Sequence, residues 1–343
     1  MRSLFMSEPK PPLRNRNGAM ATSVLHIPLT GWRAVLKRTW TQSNADNVLL
    51  IAAGVAFYFL LALVPALTAL FAVVSLLASP DAIRELLEEV SAILPQSTTV
   101  LFTDLLDRII VSSQSDSTLT LKALFGLLLA FWAAGAGVRA MMTAVTVAYR
   151  EREARPLLRF HLRALGLTLA ALLIGVFAII AFVAIPVAVS VLPFSVRNET
   201  LLTLFRWPVI LTAVIIGLAL TYRFGPSRRQ AKTRWVTTGA IVATLLWLTG
   251  SIAFTTYVEQ VANYEAVHGT LSSIVVLLLW LWFSAAVTIL GAELNAELEH
   301  QTSVDTTVGR DRPMGERGAF VADHVAACTG TTPASETPDA ARE

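Results

Sequence analysis

Six stretches of this chain run for about twenty residues or more with hardly a charge in them. They cover about Val48–Ala78, Leu121–Ala140, Leu165–Leu192, Leu201–Leu220, Val236–Tyr257 and Leu271–Leu290. A helix needs roughly 20 apolar residues to cross the hydrocarbon core of a bilayer, and a soluble core has no use for several such runs. Composition agrees: 55% of the residues are apolar and 15% charged, against roughly a quarter charged in ordinary soluble domains. The sequence therefore predicts an all-α integral membrane protein, a six-helix transmembrane bundle. The first run amounts to ~45 Å of helix, longer than the core is thick, so it has to tilt or bend. Pro65 near its middle removes a backbone donor and marks the expected kink.

Charge position sets the expected orientation. Arg14, Arg16, Arg33, Lys37 and Arg38 lie before the first run; Arg150, Arg152, Arg155, Arg159 and Arg163 follow the second; Arg223, Arg228, Arg229, Lys232 and Arg234 follow the fourth. The connections between these are poor in Lys and Arg. Positively charged loops stay in the cytoplasm, which predicts six spans with both termini inside. The net charge of +3 is explained by this distribution, and no basic face of the kind that holds nucleic acid is implied. The one cysteine, Cys328, forms no intrachain disulfide. No removable signal peptide is read in residues 1–40, so the first span serves as the insertion signal.

Three regions stand outside the spans. Residues 1–46 form a basic N-terminal segment, with a short amphipathic surface helix expected around Trp32–Trp40. Residues 79–117 read as an extracytoplasmic amphipathic helical hairpin. Ser79-Pro80-Asp81 caps its first helix, Ile83, Leu86, Leu87, Val90 and Ile93 share a face, and Pro95 breaks it. Residues 300–343 are rich in Thr, Gly, Pro and charge without periodicity and are expected to be disordered.

Three groups of residues are candidates for function. Thr237, Thr244, Ser251 and Thr255 recur at helical spacing on one face of the fifth span. With Pro65 they are read either as the lining of a polar groove or as interhelix glue whose hydroxyls bond back to their own carbonyls. Glu293 and Asn295 end the last span, at the level where Arg139 ends the second and Arg163 begins the third. A carboxylate there seeks a cation, which predicts an inner latch of Glu293 with Arg139 or Arg163, acting as a gate or as a packing clamp. Tyr264, His268 and Gly269 lie in a short outer connection that reads either as a contact for substrate or partner or as a tight turn. Gly135 and Gly137 are read as packing sites, and Trp40, Trp207, Trp247, Trp280 and Trp282 as interface anchors.

Several stretches together resemble the YihY/BrkB family of bacterial inner-membrane proteins. They are the run Asn47 to Pro65, Tyr222-Arg-Phe-Gly-Pro226, and a C-terminal set comprising Gly239-Ala240, Trp247, Phe254, Tyr257, Asn263-Tyr264-Glu265, His268-Gly269, Trp280 and Gly291-Ala-Glu293-Leu-Asn295. The family pattern carries Tyr-Gly where this chain has His268-Gly269. The resemblance covers about residues 30–299 and implies a multipass bacterial inner-membrane protein concerned with envelope lipid or glycolipid. Members once carried the name ribonuclease BN. The residues here disfavour that activity: five scattered histidines show no HxH, HExxH or CxxC spacing, and no dense acidic cluster accompanies the basic loops. No cofactor is expected. Membrane lipids are the expected partners, with an envelope protein or a second copy of the chain left open and nucleic acid excluded. Two functions are carried forward: assistance in moving or distributing a lipid or lipid-linked envelope component, and a non-transporting scaffold for an envelope assembly.

Overall fold

The computed structural model describes residues 16–74, 120–191, 199–260 and 272–326. The hairpin expected at 79–117 and the connection with Tyr264, His268 and Gly269 lie outside these residues. Eight α-helices are described: α1 (Leu29–Ala45), α2 (Val48–Val74), α3 (Thr120–Ala148), α4 (Leu157–Val191), α5 (Glu199–Phe224), α6 (Thr233–Gln260), α7 (Ser272–His300) and the single turn α8 (Phe320–Asp323). There is no β-strand among the described residues, only an isolated bridge between Ala231 and Thr307. Four helices contain stretches long and apolar enough to span: Phe131–Ala148, Leu157–Ala178, Thr233–Val258 and Ile274–His300. A fifth span arises if the bent pair α1–α2 counts as one. The chain is a multipass helical membrane protein.

α1 and α2 meet at 65°. Asn47 between them adopts φ +52°, a left-handed conformation that asparagine tolerates better than most residues. α1 buries Gly31, Val35, Thr39 and Ser43 at four-residue spacing, while Leu29, Arg33, Leu36, Lys37 and Trp40 stay exposed. This is the amphipathic helix expected around Trp32–Trp40. α2 runs on through Pro65 as a single helix.

Small residues let the helices close in. A side chain at Gly137 would strike the ring of Phe59, so α2 packs directly on α3 there. At the crossing of α6 and α7, a Cβ on Gly239 would meet the carbonyl oxygen of Gly291, and one on Gly291 would meet the Tyr222 hydroxyl. Long polar side chains bridge the same helices. The Tyr222 hydroxyl donates to the Thr288 carbonyl at 2.8 Å, Trp282 Nε1 to the Leu49 carbonyl at 2.9 Å, and Trp247 Nε1 to Ser284 Oγ at 3.0 Å. Trp247 and Trp282, expected as interface anchors, thus tie helices together. Replacing lipid contact by hydrogen bonds and close backbone packing is how helices associate where no water drives them together. The core between α2, α3, α5, α6 and α7 is built from Val48, Ala52, Met141, Val145, Tyr149, Ala240, Ile289 and Ala292.

The segment after α7 departs from expectation. Residues 301–326 are folded, whereas the sequence suggests disorder from 300 onward. Their apolar content is low, and polar side chains hold them instead. Arg317 is buried and spends its guanidinium on the carbonyls of Arg312, Ala322 and Ser303 at 3.1, 2.7 and 2.8 Å. Asp323 accepts from the N–H groups of Gly315, Arg317 and Gly318, with Gly315 and Gly318 at φ +93° and +67°. The strap lies against the 225–232 connection: Lys232 N–H donates to Thr306 O, Val308 N–H to Gln230 O and Arg229 N–H to Gly318 O, at 2.8–3.0 Å. On its other side Gln301, Thr302 and Ser303 bond the carbonyls of Asn17, Ala21 and Ala19.

Asp305 is the pivot of this strap. It accepts from the Thr307 N–H and hydroxyl and from the Arg312 N–H at 2.7–2.8 Å. Burial pushes its carboxyl up, but those donors more than reverse this and hold it below the ordinary carboxylate value. A carboxyl held low adds stability that is complete above its unfolded value of roughly 4 and is lost as pH falls through the folded value. Hydrogen exchange at the Thr307 and Arg312 amides, relative to intrinsic rates, is expected to stay protected down to about pH 4 and to fail below it. Asp305→Asn should remove that acid step.

The candidate site at the charged end of the bundle

The last two turns of α7 carry Glu293, Asn295, Glu297 and Glu299, and all four are fully buried. Alternate residues of an α-helix point ~200° apart, so Glu293 and Glu297 share one face and Asn295 and Glu299 the opposite one. A helix end this polar is buried because each face meets its own partners.

On the first face, Glu297 receives two arginines. Arg38 Nε of α1 donates to Oε2 at 2.6 Å, and Arg150, just past α3, donates to Oε1. Arg38 also reaches Gln301 Oε1 at 2.6 Å. Arg150 has φ +56° at the C-terminal cap of α3, where Glu151 N–H returns to the Thr146 carbonyl. A left-handed cap normally favours glycine; here an arginine occupies it and its side chain reaches α7. On the second face, Arg228 pairs with both oxygens of Glu299 at 3.0 and 2.7 Å. The Thr306 hydroxyl adds a third bond to Glu299 at 2.7 Å, and the Arg228 guanidinium lies over the Tyr149 ring at 4.5 Å. Both side chains of this pair are at most 2% exposed. Asn295 clamps α6: its Oδ1 accepts from Gly239 N–H at 2.7 Å and its Nδ2 donates to the Val236 carbonyl at 3.0 Å.

The strap closes over this cluster from outside the span. Phe320 N–H, at the start of α8, donates to Glu151 Oε1 at 2.7 Å. Burial pushes the Glu151 carboxyl up, and the Phe320 N–H opposes that shift.

The expected latch does not form. Arg139 does not end its helix: α3 continues to Ala148, and the Arg139 guanidinium sits over the Trp132 ring, 5.2 Å from its centre. Arg163 is exposed. The arginines that reach α7 come instead from α1, from the α3 cap and from the 225–232 connection. Glu293 meets the Asp46 carboxyl instead of an arginine. Asn295 does act at the bundle end, on backbone groups of α6. Glu297 and Glu299 were not singled out from the sequence, and Arg38, Arg150 and Arg228 were read there only as charges that set the orientation. Their signal was four polar residues at alternate positions on an apolar helix, a pattern that only burial on two faces explains.

Thr237 and Thr244 donate to the carbonyls of Thr233 and Ala240 at 2.9 and 2.8 Å, one turn back. Thr244, Ser251 and Thr255 are buried. An open groove lies between α4 and α5. It is lined by Leu173, Ile174 and Phe177 on one side and Pro208, Val209, Thr212, Ala213 and Ile216 on the other, with a volume of about 500 Å³. Its one hydroxyl, on Thr212, is bonded to the Pro208 carbonyl at 2.7 Å. No group of three or more His, Cys, Asp or Glu is placed to hold a metal ion among the described residues.

Comparison with known proteins agrees with this architecture. The chain is similar to the ribonuclease-like protein YfkH of Bacillus subtilis, 31% identical over 51% of this chain and 64% of that protein. It is also similar to the UPF0761 membrane proteins of Idiomarina loihiensis (31% over 27% of the chain and 32% of that protein) and Cronobacter sakazakii (26% over 79% and 89%). The chain thus spans less than two thirds of the first two relatives. No solved structure matches it. The model of the family described as virulence factor BrkB matches residues 39–314, from within α1 to within the strap. The chain belongs to the virulence factor BrkB family of membrane proteins.

Proposed function

We propose that this is a six-span protein of the bacterial cytoplasmic membrane, with both ends inside, that assists the movement or distribution of a lipid or lipid-linked envelope component. The observation that carries the reading is the groove between α4 and α5, whose walls are apolar and whose mouth is open. An apolar cleft of that size suits an acyl or polyprenyl chain and offers nothing to a small polar solute. The buried ion pairs and the strap close the charged end of the bundle, so a chain entering the groove would do so from the side.

A second reading has its own support. On α6 Thr244 and Ser251 are buried, and Thr237 and Thr244 bond back to their own helix, packing that suits a scaffold for an envelope assembly. One experiment separates the two. Purified protein is reconstituted in liposomes and the passage of fluorescent phospholipid between leaflets is followed by chemical quenching. Transfer above protein-free vesicles supports the first reading, and Ile216→Trp, which fills the groove from a half-exposed position, is expected to cut it at least about five-fold, an effect of ~1 kcal/mol. Transfer equal to the blank leaves the scaffold reading standing.

A further inference from the structure

The groove between α4 and α5 is continued on both helices toward the charged end of the bundle. On α4, Arg163, Ala170 and the lining residue Phe177 recur at seven-residue steps, and Arg159 lies one turn before Arg163. Seven residues make nearly two turns, so Arg159 and Arg163 project from the same side of α4 as Leu173, Ile174 and Phe177. On α5, Arg223 stands seven residues past Ile216, on the side that Thr212 and Ile216 present to the groove. The ends of the two helices are level. Arg155, just before α4, donates to the Gly225 carbonyl, just after α5, at 2.9 Å. Phe160 and Phe224 pack on one cluster of Met142, Ala164 and Leu167. Three arginines therefore stand over one end of an apolar cleft.

These arginines have no counter-charge. Arg159 and Arg163 are exposed, make no hydrogen bond or ion pair among the described residues, and are the only charges in the span Leu157–Ala178. Arg223 meets only the neutral hydroxyl of Thr233 at 2.8 Å, and its Nε has no partner among the described residues. The neighbouring carboxylate, Glu153, is taken by Arg155 through both oxygens. The way from the arginines to the groove is open: Gly166, three residues past Arg163, is exposed, and a Cβ built there would meet nothing within 4 Å. Arg163 to Leu173 is ~15 Å of helix, half of the roughly 30 Å hydrocarbon core and so the depth that the chains of one leaflet fill.

We propose that this surface binds a lipid with an anionic phosphate headgroup. The phosphate sits among Arg159, Arg163 and Arg223, and one acyl or prenyl chain runs past Gly166 into the groove. Guanidinium forks match phosphate oxygens in geometry as well as charge. A zwitterionic headgroup would bring its own cation toward the arginines and is disfavoured. The site deepens the lipid reading, on which it rests, by fixing the chemistry of the headgroup.

The test is thermal unfolding of the full-length protein in detergent with added phosphatidylglycerol or, at equal mole fraction, phosphatidylcholine with the same chains. A ligand that binds the folded state raises the melting temperature with saturating dependence. Phosphatidylglycerol is expected to reach half of its effect at about ten-fold lower mole fraction than phosphatidylcholine. Arg159→Gln combined with Arg163→Gln should abolish that preference, both side chains being exposed, while Arg33→Gln on α1, equally exposed, leaves it in place. Ile216→Trp should weaken the response to both lipids, and glycerol phosphate, a headgroup without chains, should give none. Equal responses to the two lipids, both blocked by Ile216→Trp, would overturn the headgroup site and leave the groove standing. No response to either would sink the groove as well. A preference lost equally in Arg33→Gln would also overturn the site, assigning it to surface charge at large.

Discussion

Glu299→Gln is expected to lower the stability of the protein by about 3–5 kcal/mol, the cost of leaving a buried charge without its partner. Arg228 is the reason. Its side chain is 2% exposed, and three of its neighbours, Glu299, Glu151 and Tyr149, form the polar surroundings that replace water. Burial alone would push its guanidinium down, but the Glu299 carboxylate holds it above its usual value. Glutamine keeps the shape and one acceptor yet removes the charge, and it weakens the Thr306 bond that seats the strap. The melting temperature in detergent should fall by on the order of 10 °C, and protease should reach 301–326 before the spans unfold. Arg228→Met with Glu299→Gln should recover much of the loss, because a buried pair replaced as a unit costs far less than one broken. If the single variant melts like the wild type, the pair is not buried in the way described.

The second large effect is expected at Gly239. A methyl group there would press on the Gly291 carbonyl and on Asn295, whose Oδ1 and Cγ lie 2.5 and 2.6 Å from the added carbon. Backbone cannot step aside as a flexible side chain does, so Gly239→Ala must part α6 from α7. Parting them also breaks the Asn295 clamp on Val236 and Gly239. Overpacking of this kind costs typically 1–3 kcal/mol, and each lost buried hydrogen bond adds about 1 kcal/mol. Gly54→Ala is the control: a Cβ there meets nothing within 4 Å, and its melting temperature should not drop. Comparing the two by thermal unfolding separates helix contact from the general preference of helices for alanine over glycine. A Gly239→Ala protein as stable as the Gly54→Ala one would mean that the crossing is looser than the geometry indicates.

Much of the architecture was legible before any coordinates. The apolar runs at Leu121–Ala140 and Val236–Tyr257 fall inside α3 and α6, and α7 takes up the last run from Ser272 onward, because apolar length is a local property and the bilayer demands it. The basic amphipathic helix at Trp32–Trp40 was legible for the same reason. The ends were not. α3 runs on to Ala148 and α7 to His300, past the points where charge ends an apolar run. Arg139 and Glu293 look adjacent when helix ends are aligned by hydropathy, yet Arg139 turns to Trp132 and Glu293 to Asp46. The strap was illegible for a different reason. Asp305, Arg317 and Asp323 bond main-chain groups close to them in sequence and far from any apolar periodicity, so composition reads them as disorder.

The sequence by itself determined that this chain enters the membrane as apolar helices, since the length of uncharged sequence and the need to satisfy every backbone group in lipid leave no other course. Only the tertiary structure decided which charges meet. Arg38, Arg150 and Arg228 come from three separate stretches to one helix end, and the pairing depends on crossing angles and backbone caps that no local pattern encodes. The same holds for Glu293, which meets Asp46 because the neighbouring arginines turn to Glu297.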